Sequence, residues 1–336
     1  MYPRIYPLRL ISRALPSRYR TPLGPPPSAL SAFSFMSTST SPAPPTPRPS
    51  ASLVIINSRN EVLLVHRNPQ ARSFGGVHVF PGGNLDTAQD ASLEVTAIRE
   101  TFEEAGILLA SGPPPSDAVL DTARHAIHAG KTPFQTFLAQ NGLQADVDAL
   151  LPFTQWITPV FAPRRFHTNF YVTFLGATAS LTGFSSGAKE DRIPTPDGGQ
   201  EVIAARFLHP DAVLEEFHAG QITIMPPQFY IVRTLAAILR GGATTAEQRA
   251  RVEALARGAF GQLAFNPRRL GPPDAKGRVV LTYEGDHTRG GPAGRLHRAL
   301  VLAGKGGVTS EITLERNFDI FTEIDVDTLS ATPSKL

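Results

Sequence analysis

The sequence of 336 residues contains no cysteine. It therefore has no disulfide bond, no thiolate ligand for a metal ion and no cysteine nucleophile, a composition that suits a reducing compartment. It also lacks any uninterrupted apolar stretch of the roughly 18 residues that a membrane-spanning helix requires. These absences exclude a disulfide-stapled secreted domain and predict a chain without a helical membrane span.

Acidic residues are missing from the first 60 positions, and five arginines precede Met36. Removing those five from the 32 basic residues leaves 27 basic against 29 acidic residues, a net charge of −2 for the remainder. The body of the protein is therefore close to neutral. This balance argues against a general nucleic-acid binder, which needs an excess of positive charge.

The N-terminal region is rich in Arg and Ser, and Leu8, Ile11 and Leu15 would share one face of a helix. This pattern is typical of a mitochondrial presequence, the alternative being a disordered basic tail. Residues 37–50 form a Ser/Thr/Pro-rich linker that cannot bury enough surface to fold. We therefore predict that residues 1–50 are a disordered targeting and linker segment, which translation from Met36 would largely remove.

The sequence ends in Ser334-Lys335-Leu336, the tripeptide of peroxisomal import. It follows a small polar run that would keep it accessible, so residues 331–336 are predicted to be an exposed tail. The predicted partner is the peroxisomal import receptor. Peroxisome is the first expected location, with mitochondrion as the alternative or as a second destination, and the sequence does not indicate an oligomeric state.

Residues 92–108 combine helix-favouring Leu, Glu and Ala with a glycine where a helix would stop. On that helix Glu100, Glu103 and Glu104 stand at i, i+3 and i+4, so three carboxylates share one face. Like charges at these spacings repel, and Arg99 offsets part of the repulsion. A hard divalent cation would offset more, because it takes carboxylate and phosphate oxygens as ligands; the alternative is a solvated acidic face.

Upstream, Phe80-Pro81-Gly82-Gly83 forms a loop whose glycines permit close approach to a ligand. This loop, followed by Arg-Glu-x-x-Glu-Glu-x-Gly-Ile from Arg99, resembles the Nudix box. The resemblance implies a loop–helix–loop that binds Mg²⁺ or Mn²⁺ and hydrolyses a diphosphate, with Glu100 as candidate base and Arg99 holding the glutamates. The glutamate usual in the first half of the box is absent, and Asp86, Asp90 or Glu94 is expected to replace it.

The stretch 63–83 resembles the additional motif of Nudix enzymes that hydrolyse coenzyme A, with Arg67 and Arg72 at matching spacing. A guanidinium fork matches phosphate geometry, and coenzyme A carries a 3′-phosphate besides its diphosphate. The alternative is ordinary ion pairing. His66 and His78 are interpreted as packing or hydrogen-bonding residues rather than ligands.

Arg165 lies in a second segment that resembles the same branch, and Glu201 precedes a strand at the place where many Nudix enzymes supply a further glutamate. A surface glutamate at a strand start is the alternative for Glu201. The predicted catalytic residues are Arg99, Glu100, Glu103 and Glu104. The predicted substrate-binding residues are Arg67, Arg72, Gly82, Gly83 and Arg165. The predicted metal ligands are Glu100, Glu103, Glu104, Glu201 and the Gly82 carbonyl.

The resemblance implies an α/β fold, a Nudix-type α/β/α sandwich around a mixed sheet. We assign residues 51–240 to this domain, with a helical insertion at about 112–152, and residues 241–330 to a helix and a β-rich extension. The implied reaction is metal-dependent cleavage of coenzyme A or acyl-coenzyme A to 3′,5′-ADP and 4′-phosphopantetheine or its acyl form. The alternatives are another diphosphate substrate, such as ADP-ribose or NADH, and a non-catalytic binding protein on the same fold.

Overall fold

A computed structural model describes residues 44–71, 74–175, 197, 201–304 and 308–324. Residues 1–43 of the predicted targeting and linker segment, Arg72 and the terminal import tripeptide lie outside the described residues. The end of the predicted linker is ordered, contrary to the expectation, because Arg48 and Ser50 pair with Phe166 and Thr168 of a neighbouring strand. Within them, no helix is long and apolar enough to cross a membrane.

Runs of strands and runs of helices follow one another along the described chain. The strands are β1 (Arg48–Ile56), β2 (Val62–Arg67), β3 (His78–Val79), β4 (Gly82–Asn84), β5 (Ala110–Ser111), β6 (Gln144–Ala145), β7 (Leu151–Ile157), β8 (Phe166–Phe174), β9 (Val202–Leu208), β10 (Ala264–Phe265), β11 (Arg268–Arg269), β12 (Val279–Thr282), β13 (His297–Ala303) and β14 (Thr309–Arg316). The helices are α1 (Leu93–Ala105), α2 (Asp117–His128), α3 (Phe134–Gln140), α4 (Pro210–His218), α5 (Pro226–Ala236), α6 (Ala246–Arg257) and α7 (Ala259–Gln262).

The main sheet is mixed and has the order β10-β7-β8-β1-β2-β3, with β4 paired to β1 and β9 paired to β2. β1 and β8 run parallel at its centre, while β1 pairs antiparallel with both β2 and β4. In the β1–β4 ladder Ser52 is opposite Gly82 and Ala51 is opposite Gly83. The register therefore fixes the glycine loop against the first half of the central strand.

The sheet separates two hydrophobic cores. Alternate residues of β1 enter different cores, because successive side chains of a strand point to opposite faces: Leu53 and Ile55 pack with α1, α2 and α3, while Val54 and Ile56 pack with α4, α5 and α6. Helices thus cover both faces, which confirms the predicted α/β/α sandwich around a mixed sheet.

The C-terminal part contains a four-stranded antiparallel sheet, β11-β12-β13-β14. Its apolar residues Leu281, Val301 and Ile312 belong to the same core as α5. The predicted β-rich extension is therefore present and packs on the second face of the sandwich. The domain boundaries assigned from the sequence remain predictions.

Thr244 and Glu247 have the spacing of a capping box in the sequence, but the cap of α6 lies one residue further along. Thr245, rather than Thr244, begins the helix, and Gln248 closes the capping box. The hydroxyl of Thr244 instead donates to the Asn57 carbonyl at 2.9 Å, which ties this loop to the β1–β2 turn. A tertiary hydrogen bond therefore decides which of two adjacent threonines becomes the cap.

His78 is buried in the fold, in agreement with its interpretation as a packing residue. Its ring stacks on His66 with centroids 4.1 Å apart, and its Nδ1 has no hydrogen-bond partner among the described residues. Burial, with the nearby His66 and Arg206, lowers the pKa of His78 to about 4. The neutral ring is therefore the form that the fold favours.

Between pH 6.5 and about 4 the unfolded chain protonates this histidine while the folded protein does not, so unfolding becomes easier as the pH falls. We expect His78 to account for a loss on the order of 1–2 kcal/mol across this range, after allowance for its partial solvation. His78→Phe, which keeps an aromatic ring against His66, should make the decline shallower. Urea unfolding at several pH values tests this, and an equal decline in both proteins would contradict it.

Candidate active site

Helix α1 carries the predicted catalytic residues, and local sequence sets both of its ends. The Ser92 side chain accepts a hydrogen bond from the Val95 N–H, a normal N-cap. Gly106 ends the helix with φ of 70°, and its N–H bonds to the Phe102 carbonyl at 3.0 Å. The helix between these residues places Glu100 and Glu104 against the glycine loop.

Arg99 is buried at the centre of an ionic network. Its guanidinium binds Asp90 through two hydrogen bonds of 2.8 Å and donates to Glu103 at 2.8 Å. It also lies 3.0 Å from Glu100. Surrounded by three carboxylates, Arg99 has a pKa raised above its usual value even though burial opposes its charge. The structure thus places Arg99 where it holds the glutamates of its own helix.

Asp90 is the acidic residue that pairs with Arg99. Its side chain is fully buried and accepts from Arg99, from the Thr96 hydroxyl and from the Asp86 N–H. Asp86 instead stabilises its own turn, and Glu94 accepts from the Tyr171 hydroxyl at 2.9 Å. Of the three candidates named from the sequence, only Asp90 reaches the arginine.

Glu104 joins the helix to the glycine loop and to the arginine motif. One of its oxygens accepts from the Gly82 N–H at 3.0 Å, and the other accepts from Arg67 at 2.9 Å. The same guanidinium reaches Glu201 at 3.1 Å. Residues distant in the sequence, Arg67, Gly82 and Glu201, are thus brought together around one glutamate.

The helical insertion contributes two contacts that the sequence analysis did not anticipate. Arg124 of α2 donates to the backbone carbonyl of Glu103 at 2.8 Å, and His128 lies 3.4 Å from a Glu103 carboxylate oxygen. The hydrogen bond between the His128 ring and the Glu103 carboxylate raises the pKa of His128. In the sequence, Arg124 and His128 appear only as basic residues of a helix to which no role could be assigned.

Arg165 is placed away from this network. Its guanidinium donates to the backbone carbonyls of Thr158 and Pro45, at 3.0 and 2.9 Å. It therefore closes the β7–β8 hairpin, and its predicted contact with substrate remains a prediction.

Two carboxylates of the site, those of Glu100 and Glu104, have raised pKa values. Burial is the largest cause that raises the pKa of Glu104, and the adjacent Glu100 adds to it. The pKa of Glu100 is raised in the same way, by burial and by the negative charges of Glu103 and Glu201. Crowded carboxylates of this kind gain most from a nearby positive charge.

The donor set suits a hard divalent cation, which takes carboxylate oxygens and backbone carbonyls. In the part of the chain that the structure describes, no three acidic or histidine side chains already converge on one point. Arg67 instead supplies the positive charge between Glu104 and Glu201. The residues therefore fit a cation by chemistry, and Arg67 would have to leave Glu104 to admit it.

Gly83 is required beside Glu100, because a Cβ at this position would overlap the Glu100 carboxylate. We expect Gly83→Ala to displace that carboxylate and lower kcat by about tenfold or more, since small misplacements of reacting groups are costly. Gly242→Ala, where a Cβ meets open space, is the matched control. Steady-state kinetics with thermal unfolding tests this, and a Gly83→Ala enzyme as active as the control would contradict it.

Two cavities among the described residues are lined by residues outside the predicted site. Two adjoining cavities of about 500 Å³ each lie between α4, α5 and β14, and Asp211, Arg233 and Leu314 line both. No predicted site residue lines either of them.

Comparison with known proteins agrees with this geometry. Residues 86–235 match the family model described as the NUDT19 Nudix domain. The chain is 32% identical over 163 residues to the acyl-coenzyme A diphosphatase NUDT19 of Gallus gallus, which covers 42% of this chain and 39% of the relative. It is 27% identical over 206 residues to the putative nudix hydrolase 7 of Caenorhabditis elegans, covering 56% and 60%. It is 26% identical over 239 residues to the human acyl-coenzyme A diphosphatase NUDT19, covering 52% and 60%.

The chain thus spans at most 60% of the length of these relatives. A solved NUDIX hydrolase from Alicyclobacillus acidocaldarius superposes with a TM-score of 0.48 at 24% identity, over 63% of this chain and 98% of that chain. The family match is confined to residues 86–235, which are similar to the NUDT19 Nudix domain. The relatives confirm the resemblance to the coenzyme A diphosphatase branch of the Nudix hydrolases.

Proposed function

We propose that this protein is a metal-dependent Nudix hydrolase that cleaves the diphosphate of coenzyme A or acyl-coenzyme A. The products would be 3′,5′-ADP and 4′-phosphopantetheine or its acyl form. The observation that carries the proposal is the 2.9 Å contact between Arg67 and Glu104. It joins the arginine of the coenzyme A-type motif directly to the helix of the Nudix box.

Each residue of the site has its own role in the proposed reaction. Arg99, anchored by Asp90, holds Glu103 and Glu100 in position. Glu104 is fixed by the Gly82 N–H and by Arg67, so its carboxylate is oriented before substrate arrives. A bound Mg²⁺ or Mn²⁺, held by Glu100, Glu103, Glu104, Glu201 and the Gly82 carbonyl, would offset the negative charge of the diphosphate.

Arg67 lies where its guanidinium can bind a phosphate oxygen next to Glu104, and Arg72 of the same motif would add a second positive charge. Glu100, beside Gly83, is the proposed base that accepts a proton from the attacking water. Water adds to one phosphorus, the bridging P–O bond breaks, and the second phosphate leaves with the bridging oxygen.

A substrate panel tests the proposal. It should contain coenzyme A, acetyl- and longer acyl-coenzyme A, ADP-ribose, NADH and dinucleoside polyphosphates, each with Mg²⁺, with Mn²⁺ and with chelator, and products identified by mass. We expect the coenzyme A compounds to give the highest kcat/KM and chelator to abolish turnover. A higher kcat/KM for ADP-ribose or NADH would favour the alternative substrate class, and no turnover of any compound would favour a binding protein.

The proposed location is the peroxisome, reached through recognition of Ser334, Lys335 and Leu336 by the import receptor. The basic N-terminal segment makes the mitochondrion the alternative or second location. Imaging an N-terminally tagged chain with and without the last three residues tests the first. A cytosolic signal that does not change on deletion would contradict it.

A further inference from the structure

Three of the most exposed large apolar side chains lie on two loops at one end of the sheet. Phe74 is 42% exposed, in the loop between β2 and β3. Val160 and Phe161 are 59% and 62% exposed, in the loop between β7 and β8. Single exposed apolar residues are common on proteins, but a group of them marks a binding surface.

The two loops meet. The ring of Phe74 lies 5.9 Å from that of Phe166, the first residue of β8. Phe166 in turn closes the β7–β8 hairpin, because its carbonyl accepts from the Thr158 N–H at 2.9 Å. Phe74 and Phe166 are therefore in contact, and Val160 and Phe161 lie in the same hairpin loop that ends at Phe166. We name these four apolar residues of the two adjoining loops the apolar rim.

Phe74 is held on this rim in an unfavourable backbone conformation. Its φ is 53°, in the left-handed region that bulky side chains rarely adopt. A loop that only needed to turn would place glycine or asparagine there. Strained backbone conformations concentrate at functional positions, because at other positions a residue that adopts the conformation without strain is favoured.

The same loop is tied to the active site. The Arg67 carbonyl accepts from the Gly76 N–H at 3.1 Å, and the Arg67 N–H donates to the Val77 carbonyl at 3.0 Å. Arg67 itself contacts Glu104. The apolar rim thus begins two residues from Gly76, on the loop that also positions the arginine of the site.

We propose that the apolar rim binds the acyl chain of an acyl-coenzyme A and makes the enzyme select the acylated substrate over free coenzyme A. The inference rests on the proposed function. In such a substrate the pantetheine arm separates the thioester from the diphosphate, so the acyl chain must lie away from the glutamates. An apolar surface on the loop that leads outward from Arg67 suits that chain, because burial of methylene groups there removes them from water.

The test compares kcat/KM for free coenzyme A with that for acyl-coenzyme A of two to twelve carbons. We expect wild-type kcat/KM to rise about tenfold or more along this series, mainly through KM, since each methylene in contact with apolar side chains adds binding. The double variant Phe74→Asn, Phe161→Ser should bring the ratio of dodecanoyl- to free coenzyme A close to one. Asparagine tolerates the left-handed conformation, so the loop is retained. Leu270→Ser, at an exposed apolar residue of the C-terminal sheet, is the control that should keep the wild-type ratio.

A wild-type enzyme without chain-length dependence, or a double variant with the wild-type ratio, would overturn the inference while coenzyme A hydrolysis stands. An equal loss for free and acylated coenzyme A would also overturn it, because the rim would then bind the part that all substrates share. Loss of binding to phosphatidylcholine vesicles with an unchanged acyl ratio would assign the rim to a membrane surface instead. Absence of turnover with every coenzyme A compound would refute the proposed function itself, together with this inference.

Discussion

Replacing Glu104 by glutamine is expected to lower kcat by about a hundredfold to ten-thousandfold while the protein stays folded. Glutamine keeps the size of the side chain, and its oxygen can still accept from the Gly82 N–H, but it removes the negative charge that pairs with Arg67. It also removes a charged ligand for the proposed cation, so a higher Mg²⁺ concentration should be needed for half-maximal activity.

Glu94→Gln is the matched control on the same helix. Glu94 lies in the first turn of α1 and accepts from the Tyr171 hydroxyl, a bond that glutamine can keep. We expect near-normal kcat for this variant. Steady-state kinetics over a range of Mg²⁺ concentrations measures both proteins, and near-normal turnover of Glu104→Gln with metal still required would contradict the assignment.

Asp90→Asn is expected to lower the free energy of unfolding by about 3–5 kcal/mol, the usual loss when one partner of a buried ion pair is removed. Arg99 would keep its charge in a buried place while its bidentate partner becomes neutral and turns an amide N–H toward it. The position of Glu103 and Glu100 depends on Arg99, so kcat should fall as well.

Asp86→Asn is the control, because Asp86 is the neighbouring acidic candidate from the sequence but does not contact Arg99. Its free energy of unfolding should stay within about 0.5 kcal/mol of the wild-type value. Urea unfolding at neutral pH compares the three proteins. Equal stability of Asp90→Asn and Asp86→Asn would show that Asp90 does not have the structural role assigned to it.

Much of the fold was predictable because its signals are local. The continuous apolar run of β2, the cap residues of α1 and the prolines that begin α5 are each confined to a few positions. The spacing of Glu100, Glu103 and Glu104 also fixes their common face without knowledge of the rest of the chain, because helix geometry alone sets it.

The contacts that complete the site depend on loop conformation and were not predictable in the same way. Asp86, Asp90 and Glu94 were equivalent in the sequence, and only the turn closed by the Asp90 N–H and the Asp86 carbonyl at 2.7 Å directs Asp90 toward Arg99. His128 reaches Glu103 because the insertion packs on α1, a contact between residues 25 positions apart with no periodic signal.

Divalent-cation binding by the glutamates of α1 is tested most directly by anomalous diffraction from crystals of the protein soaked in Mn²⁺. We expect a peak within bonding distance of carboxylate oxygens of Glu100 and Glu104, with the Arg67 guanidinium moved away from Glu104 to admit the ion. Crystals of Glu104→Gln treated identically should show a weaker peak or none. Mn²⁺-soaked wild-type crystals in which these carboxylates hold no ion, and Arg67 stays on Glu104, would contradict the account.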